Sequence, residues 1–414
     1  MKPKEKEPYL IPEELRELSA DENTQAILPV SRETFYYLIA KCFHSKKQNN
    51  INRFRADLNV AWDEAQFRDR VFRLIGNHPA LRSDFIRDRS RFFWQVVYRR
   101  KKAPVFYKDL TGLTEAGQAR YISGFWQVLD EADALFACAL LVLSERESVL
   151  LVRAEHTVAD GISLSVILNE LTADNYKDLS CDAYVEHRRS SILSAAEEVP
   201  SPILRYYRDM PAAFGPSDRP HLGKGFHIQE SISLSVEDTK ALERRSQAEG
   251  ATSYTLAFLS HARALMRLYG TEELWIRSLN HGRRRAEPEE MRLVGNLIVE
   301  KPVHIKMDTT AKELRSDMLA LNSFSGMSDT VLFRHMNPNG LPQGIVSYDY
   351  WRPGSRIHRV ALIENDRVDG NNMVLEDGRL QFRFNCMLPD VPMDGQTSFR
   401  DLFLGELFPV EQKL

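Results

Sequence analysis

Glu155-His156-Thr157-Val158-Ala159-Asp160-Gly161 is the stretch on which the reading of this chain turns. It sets a histidine four residues ahead of an Asp-Gly pair. The run before it, Val149-Leu150-Leu151-Val152, is short and apolar, as a buried strand is. The run after it, Ile162-Ser163-Leu164-Ser165-Val166-Ile167-Leu168, has apolar residues at 164, 167, 168 and 171, the spacing of one helix face. The pattern predicts strand, tight connection and helix, with His156 on the connection. A loop held between rigid elements aims a side chain with little slack. An imidazole with a pKa of about 6.5 is neutral enough at pH 7 to take a proton.

Further stretches stand around it. Asn77-His78-Pro79-Ala80-Leu81-Arg82-Ser83-Asp84-Phe85 follows a helix-like run, Phe67 to Ile75. Asn280-His281-Gly282-Arg283 precedes Val294-Gly295-Asn296-Leu297-Ile298-Val299 and Lys301-Pro302-Val303. Leu375-Glu376-Asp377-Gly378-Arg379-Leu380-Gln381-Phe382-Arg383-Phe384-Asn385 precedes Phe399-Arg400-Asp401-Leu402-Phe403. In this order, with HxxxDG, they resemble the motifs of the superfamily of nonribosomal peptide condensation domains and coenzyme-A-dependent acyltransferases. The resemblance spans roughly residues 25 to 410.

The resemblance implies an α/β fold: two chloramphenicol acetyltransferase-like halves forming a V-shaped pseudo-dimer with a central tunnel. Residues 1–195 would be the half carrying HxxxDG, 196–225 a linker region and 226–414 the second half. His156 would lie midway along the tunnel, with donor and acceptor entering from opposite faces. It would act as the general base. Asp160 would point away from the ring and pair with Arg283 across the two halves, holding the loop. By its own chemistry Gly161 reads either as a glycine that starts the helix or lets backbone approach substrate, or as a plain loop glycine. For Arg284 and Arg285 two readings stand: a solvated basic turn, or contact with the phosphates of coenzyme A or a phosphopantetheine arm. The family usually writes HHxxxDG, and Glu155 replaces the first histidine here. Arg99, Arg100, Lys101 and Lys102 match no motif of the family.

Composition bounds the rest. The 414 residues suffice for two domains with real cores, and 43% apolar and 27% charged residues are ordinary for a globular protein. A net charge of −3 gives no global pull toward nucleic acid or anionic membrane. The charged start, Met1 to Glu7, has no apolar signal core, and the longest apolar run, Ala134 to Leu143, is too short for a membrane span. The expectation is a cytoplasmic protein. Cys42, Cys138, Cys181 and Cys386 lie far apart without metal spacing and read as buried, inert thiols. No metal and no tightly bound cofactor is expected.

Along the chain, short β-like runs alternate with amphipathic runs from Ile27 onward. Residues 1 to about 24 read as a loose arm or a short helix. Phe92–Tyr98 and Ala134–Val142 read as strands. Prolines at 200, 202, 211, 216 and 220 mark the linker, with a short helix expected over 203–208. A strand over 228–234 and helices over 236–248 and 254–269 follow. Ser163 and Ser165 read as helix surface. No GxSxG elbow, P-loop or dinucleotide fingerprint is visible.

Acyl transfer from a thioester asks little of a protein. The acceptor must lose a proton, the oxyanion needs donors, and proximity supplies much of the acceleration. The leading expectation is an acyltransferase of natural product biosynthesis. It would move an acyl or aminoacyl group from a coenzyme A or carrier-protein thioester, supplied in trans, to a small-molecule alcohol or amine. For amine acceptors the histidine could position more than deprotonate. Two alternatives stand: a non-catalytic docking module of the same fold that recruits a partner enzyme or carrier, or an epimerase-like relative in which Glu155 serves as a second acid.

Overall fold

Alternation of side chains decides the centre of this fold. The computed structural model describes residues 9–43, 51–173, 179–180, 182–196, 206–207, 226–283, 289–322, 342, 344–347, 356–362, 370–376, 378–388 and 398–409. The chain forms two compact units. The first gathers Met1–Ala196, Arg283–Ile298 and Tyr350–Arg367, the second Glu197–Gly282, Val299–Asp349 and Val368–Leu414.

In chain order the first unit begins with α1 (Arg16–Ala20), β1 (Thr24–Pro29), α2 (Arg32–Phe43), β2 (Ile51–Leu58) and α3 (Glu64–Asn77). It continues with β3 (Ser83–Arg87), β4 (Phe93–Tyr98), β5 (Val105–Asp109), α4 (Glu115–Glu131), β6 (Phe136–Val142), β7 (Ser148–Glu155), α5 (Gly161–Thr172) and α6 (Ala183–Ala196). Its main sheet has five strands in the order β12-β2-β7-β6-β5, where β12 is Ile357–Leu362. Only β5 and β6 run parallel; the other pairs are antiparallel. Every residue of β6 and β7 is buried, which fits central strands covered on both faces. Phe136, Cys138, Leu140, Leu150, Val152 and Ala154 pack with α3 and α5 residues such as Phe67, Leu74, Leu164 and Leu168. The intervening Ala137, Ala139, Leu141, Val149 and Leu151 pack with Ile122, Phe125 and Leu129 of α4. Arg153 follows that second alternation and reaches Asp130 at the end of α4, where Arg53 also pairs at 2.7 Å. A smaller antiparallel sheet, β1-β4-β3, stands beside it.

The second unit contains β8 (Phe226–Ser233), α7 (Val236–Ala248), α8 (Ser253–Tyr269), β9 (Glu273–Asn280), β10 (Val299–Lys306) and α9 (Ala311–Asn322). Then come β11 (Ile345–Ser347), β13 (Gly370–Glu376), β14 (Arg379–Leu388) and α10 (Phe399–Leu407). Its four-stranded sheet runs β11-β13-β14-β8, and β9 pairs β10 as an antiparallel ladder. Gly378, at φ +73°, closes the β13–β14 hairpin in the left-handed region that disfavours a side chain. Helix α8 is the core element, packed against Phe382, Phe384, Phe399 and Phe403.

The elements expected over 149–152, 162–171, 67–75, 92–98, 134–142, 228–234, 236–248 and 254–269 all form, with ends shifted by a few residues. Residues 13–20 are helical, and Leu15 buries against Ile27, Trp94 and Val96. Most of the proline-rich linker, and with it the helix expected over 203–208 apart from residues 206 and 207, lies outside the described residues. The C-terminal half of the chain is not self-contained: residues 283–298 and 350–367 complete the first unit. The physical reason is visible in β12, which pairs with the edge strand β2 from Ile357↔Leu58 to Leu362↔Phe54. Cys42 is exposed rather than buried, because it sits at the end of α2; Cys138 is buried, and burial pushes its thiol pKa upward.

Candidate active site

The His156 loop connects two rigid elements. Strand β7 ends at Glu155, and α5 starts at Gly161 with Asp160 as its N-cap. The Asp160 carboxylate accepts from the Ser163 backbone N–H at 2.9 Å and the Ser163 hydroxyl at 2.7 Å. Such a cap contributes about 1 kcal/mol where measured. Gly161 is thus the first residue of the helix and is half-buried.

Asp160 does more than cap. Arg283 donates Nη1 to Oδ2 at 2.8 Å and Nη2 to Oδ1 at 3.0 Å, a planar fork on a carboxylate. The backbone N–H of Leu297 donates to Oδ2 at 3.1 Å. Arg283 also donates to the Leu293 carbonyl from Nε at 3.1 Å and from Nη2 at 2.8 Å. The side chains of both members are at most 1% exposed. Burial works to raise the Asp160 pKa, but Arg283 and Ser163 outweigh it and hold the carboxyl below the usual range. Arg283 belongs to the segment 283–298 of the first unit, so this pair lies within one unit rather than across two. Ser163 is fully buried, not surface; its hydroxyl joins Asp160, Arg283 and the Gly295 backbone. Ser165 is buried as well.

His156 keeps part of its surface open while protein packs closely around it. Its ring stacks on Tyr37 of α2 with centroids 4.9 Å apart and planes 6° from parallel. Nδ1 is enclosed without a hydrogen-bond partner among the described residues. Desolvation lowers the pKa to about 4, against a smaller upward pull from Asp160. The ring is therefore neutral at pH 7.

Glu155 faces other partners. Lys41, one turn beyond Tyr37 on α2, reaches Oε1 at 2.9 Å, and Arg153 stands 3.7 Å from the same oxygen. The Thr157 hydroxyl lies 3.5 Å from Oε2. A carboxylate held by two cations is poorly placed to act as a free second acid. Thr34, on the same face of α2, accepts from Asn296 Nδ2 at 3.1 Å. One helix face thus touches Asn296, His156 and Glu155.

The other motifs have structural roles. His78 caps α3, and its Nε2 sits 2.6 Å from Glu170 of α5, which also pairs with Arg292 at 2.9 Å. Pro79 opens a short 3₁₀ turn, where its missing N–H costs nothing. A Cβ on Gly295 would meet Tyr184 Cε2 at 2.6 Å, so only glycine lets that backbone reach Ser163. Arg284 and Arg285 lie outside the described residues. The structure thus assembles His156, Asp160, Gly161 and Arg283 into one neighbourhood. Sequence reading missed Tyr37, Lys41, Ser163 and Glu170; their partners are distant in the chain or hidden by burial that no local period reports. Among the described residues no cluster of three or more His, Cys, Asp or Glu could hold a metal ion, and no helix is long and apolar enough to cross a membrane.

Known proteins share this architecture. Residues 36–191 match a family model described as Condensation domain. The first condensation domain of the calcium-dependent antibiotic synthetase superposes with a TM-score of 0.66 at 17% identity, covering 92% of this chain and 96% of that one. This chain has the condensation-domain fold. The condensation domain of the Monacolin K polyketide synthase MokA gives the same TM-score at 14% identity over 93% of this chain and 96% of that one. An epimerization domain from a tyrocidine synthetase shares the fold at a TM-score of 0.64 and 15% identity, covering 94% and 98%. In sequence, a plipastatin synthase component of Bacillus subtilis (strain 168) is 23% identical over 263 residues, which are 60% of this chain and 10% of that protein. A linear gramicidin synthase component of Brevibacillus parabrevis is 24% identical over 320 residues, 67% of this chain and 6% of that protein. The condensation-domain fold here thus corresponds to a small part of those synthetases.

Proposed function

We propose that this chain is an acyltransferase. It moves an acyl or aminoacyl group from a coenzyme A or carrier-protein thioester to a hydroxyl or amine, with His156 taking the acceptor's proton. The observation that carries this reading is the His156 loop: a neutral imidazole, stacked on Tyr37, on a turn fastened by Asp160 and Arg283. Nδ1 is enclosed, so Nε2 is the nitrogen left to meet a substrate. The acceptor's lone pair attacks the thioester carbonyl as its proton passes to Nε2. Collapse of the tetrahedral species expels the thiolate, and Nε2 returns the proton to that sulfur. No covalent enzyme intermediate is needed. The donor reaches the site as coenzyme A ester or on a partner carrier protein. Arg284 and Arg285 remain candidates for its phosphates.

The low pKa supports a second reading of the same residue. A ring with pKa of about 4 is a weak base. An amine acceptor needs less help than an alcohol, and His156 would then position it by a hydrogen bond. Substitution tests both. His156→Ala is expected to melt like the parent and to lose roughly a hundredfold or more in turnover of an acyl thioester with an alcohol, the scale of a general base. A loss below tenfold in a folded protein, for alcohol and amine alike, would remove His156 from the chemistry. The ring accepts a proton only while neutral, so activity should persist below pH 6 and fall as pH drops through about 4.

A further inference from the structure

Asn296 stands between the two things that hold His156, the Asp160 turn and helix α2. Its neighbours in the chain bind the turn. The Leu297 N–H donates to Asp160 Oδ2 at 3.1 Å, the Gly295 N–H to the Ser163 hydroxyl at 2.9 Å, and the Asp160 N–H to the Gly295 carbonyl at 3.3 Å. The Asn296 side chain meets α2 instead and donates Nδ2 to the Thr34 hydroxyl at 3.1 Å. Thr34 lies in the first turn of α2, where the Ser31 hydroxyl also donates to it at 3.0 Å. Three residues on, along the same helix face, Tyr37 presents the ring that stacks on His156. As a device for stability the amide is a poor choice. Asn296 is 3% exposed, and its Oδ1 is enclosed with no hydrogen-bond partner among the described residues. A neutral hydrogen bond contributes little net, and a buried polar atom left without a partner costs at least as much. A leucine of similar size would leave no polar atom unmade. What the amide supplies and leucine does not is a directed bond to Thr34.

We infer that Asn296 is a positioning residue for the proposed reaction: its bond to Thr34 sets the first turn of α2 and so holds the Tyr37 ring against His156. Residues 295–297 then secure the histidine from two directions, its turn through Asp160 and its ring through α2. The kinetic part of this inference rests on His156 as the reacting residue; the placement of the Tyr37 ring does not. Two consequences separate it from plain packing. Loss of the amide should lower turnover without lowering stability, because the orphaned oxygen goes with the bond. The effect should also pass through Tyr37: where that ring is already gone, Asn296 has nothing left to place.

The test compares Asn296→Leu, Thr34→Val and Thr34→Ser in the intact chain. Asn296→Leu is expected to melt at or above the parent temperature and to lower kcat about fivefold with KM little changed, since a slightly displaced group slows the reaction more than it weakens binding. Thr34→Val keeps the shape and removes the acceptor, so it should lower kcat alike and decides the matter if Asn296→Leu does not fold. Thr34→Ser keeps the hydroxyl and should retain parent turnover. In a Tyr37→Ala background, Asn296→Leu should change kcat no further. Proton NMR reads the same placement without turnover. The ring current of Tyr37 shifts the His156 Hδ2 and Hε1 signals. Both should move toward their free positions in Asn296→Leu and Thr34→Val, and stay in Thr34→Ser. Parent-like signals in Asn296→Leu and Thr34→Val overturn the proposal. So does a kcat loss that persists in full without Tyr37, or one matched by an equal loss in Thr34→Ser. Moved signals in a protein whose His156→Ala variant keeps its turnover would support the placement and overturn only the reaction read from His156.

Discussion

At the scale of single residues, the Asp160–Arg283 pair sets the stiffness of the loop. Two buried charges joined by a planar fork are costly to separate: removing one partner leaves the other uncompensated, at about 3–5 kcal/mol. Asp160→Ala and Arg283→Ala should each lose that much unfolding free energy. The double variant should lose far less than the sum, and strict additivity would show that the pair contributes nothing jointly. Because the folded carboxyl titrates below its unfolded value of about 3.9, this stabilisation is present above that pH. It is lost as pH falls through the folded value. Asp160→Asn should keep the cap to Ser163 and still lower turnover, since a displacement of about 1 Å can cost on the order of a hundredfold. These residues were legible in the sequence because His, Asp-Gly and Gly-Arg recur at set places. Ser163 was not: a serine three residues past the cap reads as surface until Arg283 and the Gly295 backbone meet it.

At the scale of elements, helix α2 is the part that sequence left without a role. Thr34, Tyr37 and Lys41 fall on one face by helical spacing, and each meets a residue of another motif segment or of the loop. Tyr37 therefore acts as a positioning residue for His156. Tyr37→Ala should lower kcat about tenfold with KM little changed, and Tyr37→Phe, which keeps the ring face, should restore most of it. The charge that bears on the titration of His156 is Asp160, paired with Arg283; the neighbouring Glu155 is paired with Lys41 and Arg153. Their pairs stay intact in Tyr37→Ala, so admitted water should raise the imidazole pKa from about 4 toward its free value. Proton NMR of the His156 ring would show this. An unmoved titration with unchanged kcat would make Tyr37 mere packing. Lys41 is half exposed, and Lys41→Met should cost little in stability. Strands β6 and β7 were readable because burial on two faces leaves an unbroken apolar run. The pairing of β12 with β2 was not, because register between distant segments leaves no local pattern.

At the scale of the whole molecule, the two units respond to acid through different histidines. His156 and His187 belong to the first unit, and burial lowers both pKa values. In the second unit the burden falls on His261 of α8. It is fully buried between Phe384 and Phe399, at ring distances of 5.3 and 5.8 Å, and neither ring nitrogen has a hydrogen-bond partner among the described residues. Burial lowers its pKa to about 3. The fold thus holds the neutral ring, whereas the unfolded chain takes a proton near its ordinary value of about 6.5. Stability is complete above that value and declines as pH falls toward the folded one, by about 2 kcal/mol at pH 5. His261→Leu fills a similar space, leaves no unmade hydrogen bond and has nothing to titrate. It should raise the stability of the second unit at pH 7 and flatten its acid slope, without touching the first. Hydrogen exchange of α8 amides between pH 7 and 5, corrected for the intrinsic rate, reads this unit by itself. An identical acid slope in His261→Leu and the parent would assign the weakness elsewhere in the second unit. A flattened slope in β7 as well would show that the two units unfold together.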